Sequence, residues 1–593
     1  DARDEPPGWL EPGYRDRDRG WRPVTFRAGP GGRLVTARDP GVRVVAELTP
    51  RSVAEVRAGR HLVDVGQNVA GHLRLRASEP AGTTITIRHA EVLDDAGELY
   101  VANLRSAKAT DTYTFRGDAE EIVEPRFTSH GFRYAEVSGL SGALRPDQVT
   151  AVAVSSMGAP IGSFACSDAL VNSVHRNVLW GIRGGLVGLP TDCPQRDERL
   201  GWTADAAAFA EPALFLGGDT ASLFERWLVD LADAQLPSGA YPDVAPRVGV
   251  TGAGNAGWAD AGVLVPWFVY RQTGDRRVLE RQYESMRRYL GYLEADHVDG
   301  VRHGGRYGDW LSLEGPTSLE LIGTAYLAEA ARCFVRIARL LGHHGDVASV
   351  VALAARATGA FRQRFLAPTG RLRHETQAGY ALAVAFDLVP RSMRATATDR
   401  LAALIEAADT HLLTGFLGTT VVLEVLSEHG HHDLATRLVR GDTFPSLGFQ
   451  ARNGATTVWE RWDGWTPERG FADPGMNSFN HAAFGTIAGW LHERLAGLAP
   501  GTPGYATMLV RPRPAAGIDW ARASHESTHG VHSVAWRADS RSLEVTLDVP
   551  PNTFADVELP AEFGGDPQVD GRRRPGARRV RVAWGHHVIA IDR

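Results

Sequence analysis

Residues 318–341 read SLELIGTAYLAEAARCFVRIARLL, and the fold class turns on this stretch. A helix formed here is apolar nearly all round, the pattern of an inner helix packed on both sides. Just upstream, Leu279, Tyr283, Met286, Tyr289, Leu290 and Leu293 recur at steps of three and four and mark a single apolar face. Similar helical stretches recur around 166–182, 219–235, 345–365, 396–408, 419–440 and 475–496. Many helices joined by short, often glycine-containing loops over about 330 residues predict an α/α barrel of helical hairpins. No fixed repeat period is visible, which argues against a solenoid.

The periodicity changes on either side of this helical region. From about 52 to 158 the period is two, as in His72-Leu73-Arg74-Leu75-Arg76 and TTITIR at 83–88, with Gly, Pro and Asp turns between. This predicts an accessory β-sandwich. Residues 1–50, including PPGWLEPGYRDRDRGWRPV, read as an irregular lead-in or the remnant of an upstream β-domain. After Pro500 strands return: Leu543 to Val549 alternates cleanly, and Arg579 to Ile591 forms two runs around Gly585. The expected organisation is therefore a multidomain α plus β chain: lead-in 1–50, β-sandwich 51–160, helical barrel 161–500 and a smaller C-terminal β-sandwich 501–593.

Composition narrows the function. The 593 residues are 43% apolar and 23% charged, with a net charge of −6 that gives no basic field for nucleic acid. No apolar run approaches the roughly 18 residues needed to span a bilayer. Three cysteines, Cys166, Cys193 and Cys333, indicate no disulfide framework. The chain opens at Asp1 without methionine, compatible with removal of an earlier segment, and shows no signal peptide. Cytoplasm is favoured over secretion, and charge fixes no oligomeric state.

Two runs carry chemistry. TDCPQRDERLGWTAD at 191–205 gathers Asp192, Arg196, Asp197, Glu198, Arg199, Trp202 and Asp205. Carboxylates this crowded repel one another, so at least one is expected to have a raised pKa. An acid poised to donate a proton beside an indole that can carry a sugar ring suits glycoside chemistry. GATTVWERWDGW at 454–465 places Glu460 among Trp459, Trp462 and Trp465. The two segments read as opposite walls of one cleft.

Other motifs fail their structural requirements. HESTH at 525–529 matches a zinc protease pattern, but it precedes Gly530 in a strand-rich tail instead of lying on a helix. GAGNAG at 252–257 matches a dinucleotide loop without the flanking strand and helix, and reads better as a loop delivering Trp258 to a cleft. Arg572 to Arg574 with Arg578 and Arg579 read as a solvated hairpin. Cys193 has no histidine nearby in sequence to make it a nucleophile. No metal site and no cofactor are expected.

With these motifs in order, the chain resembles the bacterial α-L-rhamnosidases of glycoside hydrolase family 78. DVGQNVAGHLRLR, HAEVLDDAGELY, NLRSAKATDTYTF and PRFTSHGFRYAEVSGL resemble that family's accessory β-domain, and the likeness runs from about residue 50 onward. It implies an (α/α)6 barrel and exo-hydrolysis of terminal α-L-rhamnosyl groups with inversion. Glu198 matches the general acid and Glu460 the general base. Asp192, Arg196, Trp202 and Asp205 match residues lining the rhamnose subsite, Trp258 and Trp310 match the sugar-binding wall, and His481 matches a histidine near the base; Trp459 beside Glu460 completes the expected subsite. Inversion requires room for a water, so the two carboxyls should lie roughly 6.5–9.5 Å apart. Position 204 is Ala where the family has Gly, which matters only if the backbone there needs a positive φ. The partner is thus a rhamnose-containing glycoside. Rival readings are an (α/α)6 hydrolase for another sugar, an inverting phosphorylase (disfavoured by the carboxylate at 460), and a silent carbohydrate-binding protein, which would be expected to have lost Glu198 or Glu460.

Overall fold

The computed structural model describes residues 1–6, 8–14, 21–29, 31–249 and 252–593. Part of the expected irregular lead-in (Pro7, 15–20 and Pro30) and Val250 of the segment before GAGNAG lie outside the described residues. Among the described residues, no helix is long and apolar enough to cross a membrane.

Among the described residues the N-terminal region has eight strands: β1 (Arg43–Leu48), β2 (Ser52–Arg57), β3 (Arg60–Ala77), β4 (Thr84–Ala90), β5 (Thr110–Thr114), β6 (Glu121–Val123), β7 (His130–Ser138) and β8 (Val149–Ser155). The sequence predicts a β-sandwich; hydrogen bonding links the strands in the order β1-β8-β3-β7-β4-β5, with β2 and β6 also paired to β3. The reason is β3. Its first half pairs with β2, its second half with β8 and β6, and its register against β7 shifts between Asp64 and Val69, where Gly66 has φ 80°. One long bent strand thus joins what would otherwise be separate layers, around a core that includes Val63, Leu73, Ile85, Ile87, Phe115, Phe132 and Val137. β1 lies inside the segment expected as lead-in; its pairing with β8 moves the start of the sheet forward.

The longer helices are α1 (Ala169–Gly185), α2 (Thr203–Leu216), α3 (Thr220–Asp233), α4 (Ala261–Thr273), α5 (Arg277–Ala295), α6 (Leu319–Leu341), α7 (His344–Phe365), α8 (Gln377–Ala385), α9 (Arg394–Ala407), α10 (Phe416–Glu428) and α11 (His432–Arg440). Capping sets several ends: Asp168 accepts from the Leu170 and Val171 N–H groups, and Ser318 accepts from Leu321 N–H. The expected 419–440 helix is two helices, broken where Gly430 adopts φ 90°. The expected 475–496 helix is helical only from 483, after an irregular run with a 3-10 turn at Pro474–Met476. α6, apolar all round as predicted, contacts α4, α5, α7 and α8. Contacts run from α2 to α4, α4 to α6, α6 to α8 and α8 to α10, then through residues 483–490 back to α2.

The C-terminal region holds two sheets. One contains 498–500, 507–510, 554–558 and 579–582, and the other runs from 572–573 to 520–527 and continues into β9 (Gly162–Cys166). β9 was expected within the helical domain; its pairing with 520–527 ties the start of that region to the C-terminal sheet. HESTH lies on the strand Trp520–Ser527 and its hairpin turn, with His525 buried against Phe215.

Candidate active site

The loop between α1 and α2 carries most of the site. Arg199 adopts φ 45°, and its guanidinium donates to the Arg196 carbonyl at 3.0 Å and to the Ser129 carbonyl of the N-terminal sheet at 2.8 Å. These bonds tie the DERLGW turn down from behind. Ala204 is helical, in the first turn of α2, so no positive φ is required of it.

At the centre is Arg196. Its Nη1 and Nη2 donate to the two Glu460 oxygens at 2.7 and 3.1 Å, a forked pair linking segments 264 residues apart. Its Nε donates to Glu198 Oε2 at 2.9 Å, and Nη2 lies 3.5 Å from Asp192. The side chains of Arg196, Asp192 and Glu460 are each only 2% exposed, against 13% for Glu198, so Glu198 is the carboxylate that faces outward. Glu198 Oε1 accepts the Trp202 indole N–H at 2.8 Å, and Oε2 also meets Arg105 at 3.0 Å.

The electrostatics differ around the ring of acids. Burial pushes the Asp192 carboxyl well above the usual range, and the Glu198 charge adds to the shift. Burial also opposes ionisation of Glu460, but Arg196 and His481 outweigh it and hold its carboxyl below the usual range. Burial disfavours the His481 imidazolium, yet the bond to Asp205 at 3.2 Å and the Glu460 charge raise its pKa overall. Cys193 donates to Asp192 at 2.6 Å; burial, with the Asp192 charge, keeps it a thiol. The crowding therefore resolves unevenly. Asp192 turns to Arg196 and Cys193, Asp205 turns to His481, and Asp197 turns outward to Ser106.

Three of the four expected tryptophans form one wall. Tyr307 joins them, 4.4 Å from the Trp258 ring and 5.9 Å from those of Trp202 and Trp310. Behind them pack Ala204, Ile322, Tyr326, Leu382 and Leu417. Trp459 is the exception. It packs edge-on to Phe479 and lines a separate cleft of about 340 Å³ with Glu91, Tyr134 and Trp465. Trp462 is a core residue, bonded to the Thr414 carbonyl at 2.8 Å.

Sequence reasoning missed three contributors. Tyr307 hydrogen-bonds Asp243 at 2.9 Å, and both lie on loops facing the tryptophans; the adjacency of Tyr307 to Asp309-Trp310 was the available signal. Arg105 comes from the N-terminal domain and also donates to the Gly475 carbonyl of the helical region, from Nε at 2.9 Å and Nη2 at 2.6 Å. It lies in NLRSAKATDTYTF, a segment read only as accessory sheet.

Three family profiles match in chain order. They are the bacterial alpha-L-rhamnosidase concanavalin-like domain at 54–155, the 6 hairpin glycosidase domain at 159–495 and the C-terminal domain at 497–573. An alpha-L-rhamnosidase of Streptomyces avermitilis is 46% identical over 564 residues, covering 95% of this chain and 54% of that protein. One from Formosa agariphila is 34% identical, covering 98% of this chain and 64% of that protein. The chain thus spans about half to two thirds of these relatives. The crystal structure of the Streptomyces avermitilis enzyme complexed with L-rhamnose superposes with a TM-score of 0.94 at 43% identity, over 100% of this chain and 57% of that one. The alpha-L-rhamnosidase from Dictyoglumus thermophilum gives 0.94 at 30% identity, over 99% of this chain and 68% of that one.

Proposed function

Because the chain belongs to the bacterial alpha-L-rhamnosidase family, we propose that it is an exo-acting α-L-rhamnosidase that inverts the anomeric centre, with Glu198 as general acid and Glu460 as general base. The observation that carries this reading is the Arg196 fork, which holds the two carboxylates of distant segments at one point beside the tryptophan wall. The relative solved with L-rhamnose supports the choice of sugar. The closed run of helix contacts supports an (α/α)6 barrel, with domains at 51–160, 161–500 and 501–593 adjusted for β1 and β9.

The chemistry follows from the charges. Glu460, kept ionised by Arg196 and His481, removes a proton from the attacking water. Glu198, the outward-facing acid, delivers a proton to the departing glycosidic oxygen, and its carboxylate is then met by Trp202, Arg196 and Arg105. The rhamnose C6 methyl and the C–H faces of the ring lie against Trp202, Trp258 and Trp310. Asp192, Asp205 and His481 hold hydroxyls.

The test is hydrolysis of p-nitrophenyl α-L-rhamnopyranoside by wild type, Glu198→Gln and Glu460→Gln. Turnover by wild type alone is expected. A folded wild type with no turnover would move the reading to another glycoside or to a silent binding protein.

A further inference from the structure

We propose that His89, Asp111 and His130, on the N-terminal sheet, bind a divalent transition metal of the zinc class. Each residue offers one ligand atom, and the three atoms lie within 4.8 Å of one another. They come from the neighbouring strands β4, β5 and β7, so the sheet itself holds them together.

His89 gives the strongest argument. It is fully buried, and its Nδ1 lies 3.1 Å from the Ala109 carbonyl oxygen. That bond makes Nδ1 the protonated nitrogen and leaves Nε2 with a bare lone pair. No group among the described residues meets Nε2, which is also sealed from solvent. An unpaired buried acceptor costs free energy, and native structures avoid it unless a bound species satisfies it. A backbone carbonyl orienting the far nitrogen is the usual setting of a metal-bound imidazole.

The neighbours complete the set. His130 Nε2 lies 3.0 and 3.1 Å from the Asp111 oxygens, and the two imidazole rings stack with centroids 4.3 Å apart. A plain His130–Asp111 ion pair accounts for two of the residues and leaves the third nitrogen unexplained. Two imidazoles and one carboxylate favour zinc, cobalt or nickel over calcium or magnesium. Three protein ligands leave a further position for water.

The location suggests what the ion does. Next to His130, a Cβ at Gly131 would lie 2.7 Å from the Gln195 side chain, and Ser129 accepts from Arg199. A metal on His130 fixes the stretch of sheet against which the Arg196–Glu198 loop rests. This role does not depend on which sugar is cleaved.

The test is calorimetric titration of the chelator-stripped chain with Zn2+, with Co2+ electronic absorption as the reporter of geometry. One ion per chain, a raised Tm, and the d–d bands of a Co2+ site with imidazole ligands are expected. His89→Phe keeps the ring volume and Asp111→Asn changes a partly exposed side chain; each should weaken binding at least tenfold. Absence of stoichiometric Zn2+ binding by the folded wild type, or binding unchanged in both variants, would overturn the proposal.

Discussion

Two arginines in the helical region make an instructive pair. Arg196 and Arg271 each draw carboxylates from distant parts of the chain. Arg271, on α4, meets Glu211 of α2 at 2.5 Å and Glu493 of the final helical segment. The difference lies in what carries the acids. Around Arg271 they stand on helices and line a cavity of about 630 Å³ that Glu198 and Glu460 do not touch. Glu211 lines that cavity and keeps 31% of its side chain exposed. Around Arg196 the acids stand on loops, are sealed on the inner side, and leave one carboxylate, Glu198, beside an indole. Ion pairing alone therefore does not mark a site. Loop-borne acids with an aromatic wall on their open side do.

The sharpest way to break this contrast is to neutralise one acid from each cluster. Glu198→Gln and Glu460→Gln should each lower kcat on an aryl rhamnoside by about 10²–10⁴-fold, while Glu211→Gln leaves turnover unchanged. Equal losses in steady-state assays would erase the distinction. The arginines come next. Arg196→Met removes the forked partner of Glu460 and the guanidinium beside Asp192, leaving only His481 to offset their charge, and should cost about 3–5 kcal/mol in urea unfolding. Arg271→Met should cost less, because the adjoining cavity lets solvent reach Glu211.

A smaller effect sharpens the role of the wall. Trp202→Phe keeps a ring but removes the N–H donated to Glu198, and hydrogen bonds to charged groups contribute about 1.5–3 kcal/mol. A fall in kcat/KM of about 10–100-fold is expected. The smallest effect is a pH dependence. His481 has a raised folded pKa, so its stabilising contribution is complete below its unfolded value near 6.5 and is lost as pH rises through the folded value. Wild type should therefore lose stability relative to His481→Gln on that alkaline side, read from unfolding free energies at stepped pH.

The sequence made some of this legible for clear physical reasons. α6 was readable because a helix packed on both sides is apolar all round, and α5 because one face repeats at helical spacing. α2 and α4 were not, since neither shows a single apolar face and each carries a proline, Pro212 or Pro266, that reads as a breaker. The pairing order of the N-terminal strands escaped because period-two alternation reports which side chains are buried but not which strands pair. Within the site, Arg196 and the acids stood in two dense motifs. Arg105 and Tyr307 did not, because each reaches the site from a loop whose own sequence has no reason to mark it. His89, Asp111 and His130 were equally invisible: strand pairing brings them together from three separated places, and no ligand spacing rule describes that.

The account rests on Glu198 and Glu460 acting from opposite sides of the sugar, with Arg196 between their segments. The most direct measurement is proton NMR of the sugar first released from p-nitrophenyl α-L-rhamnopyranoside, recorded before mutarotation. β-L-Rhamnose appearing first is the predicted result. α-L-Rhamnose appearing first would mean retention through a covalent intermediate and would contradict the roles assigned to the two carboxylates.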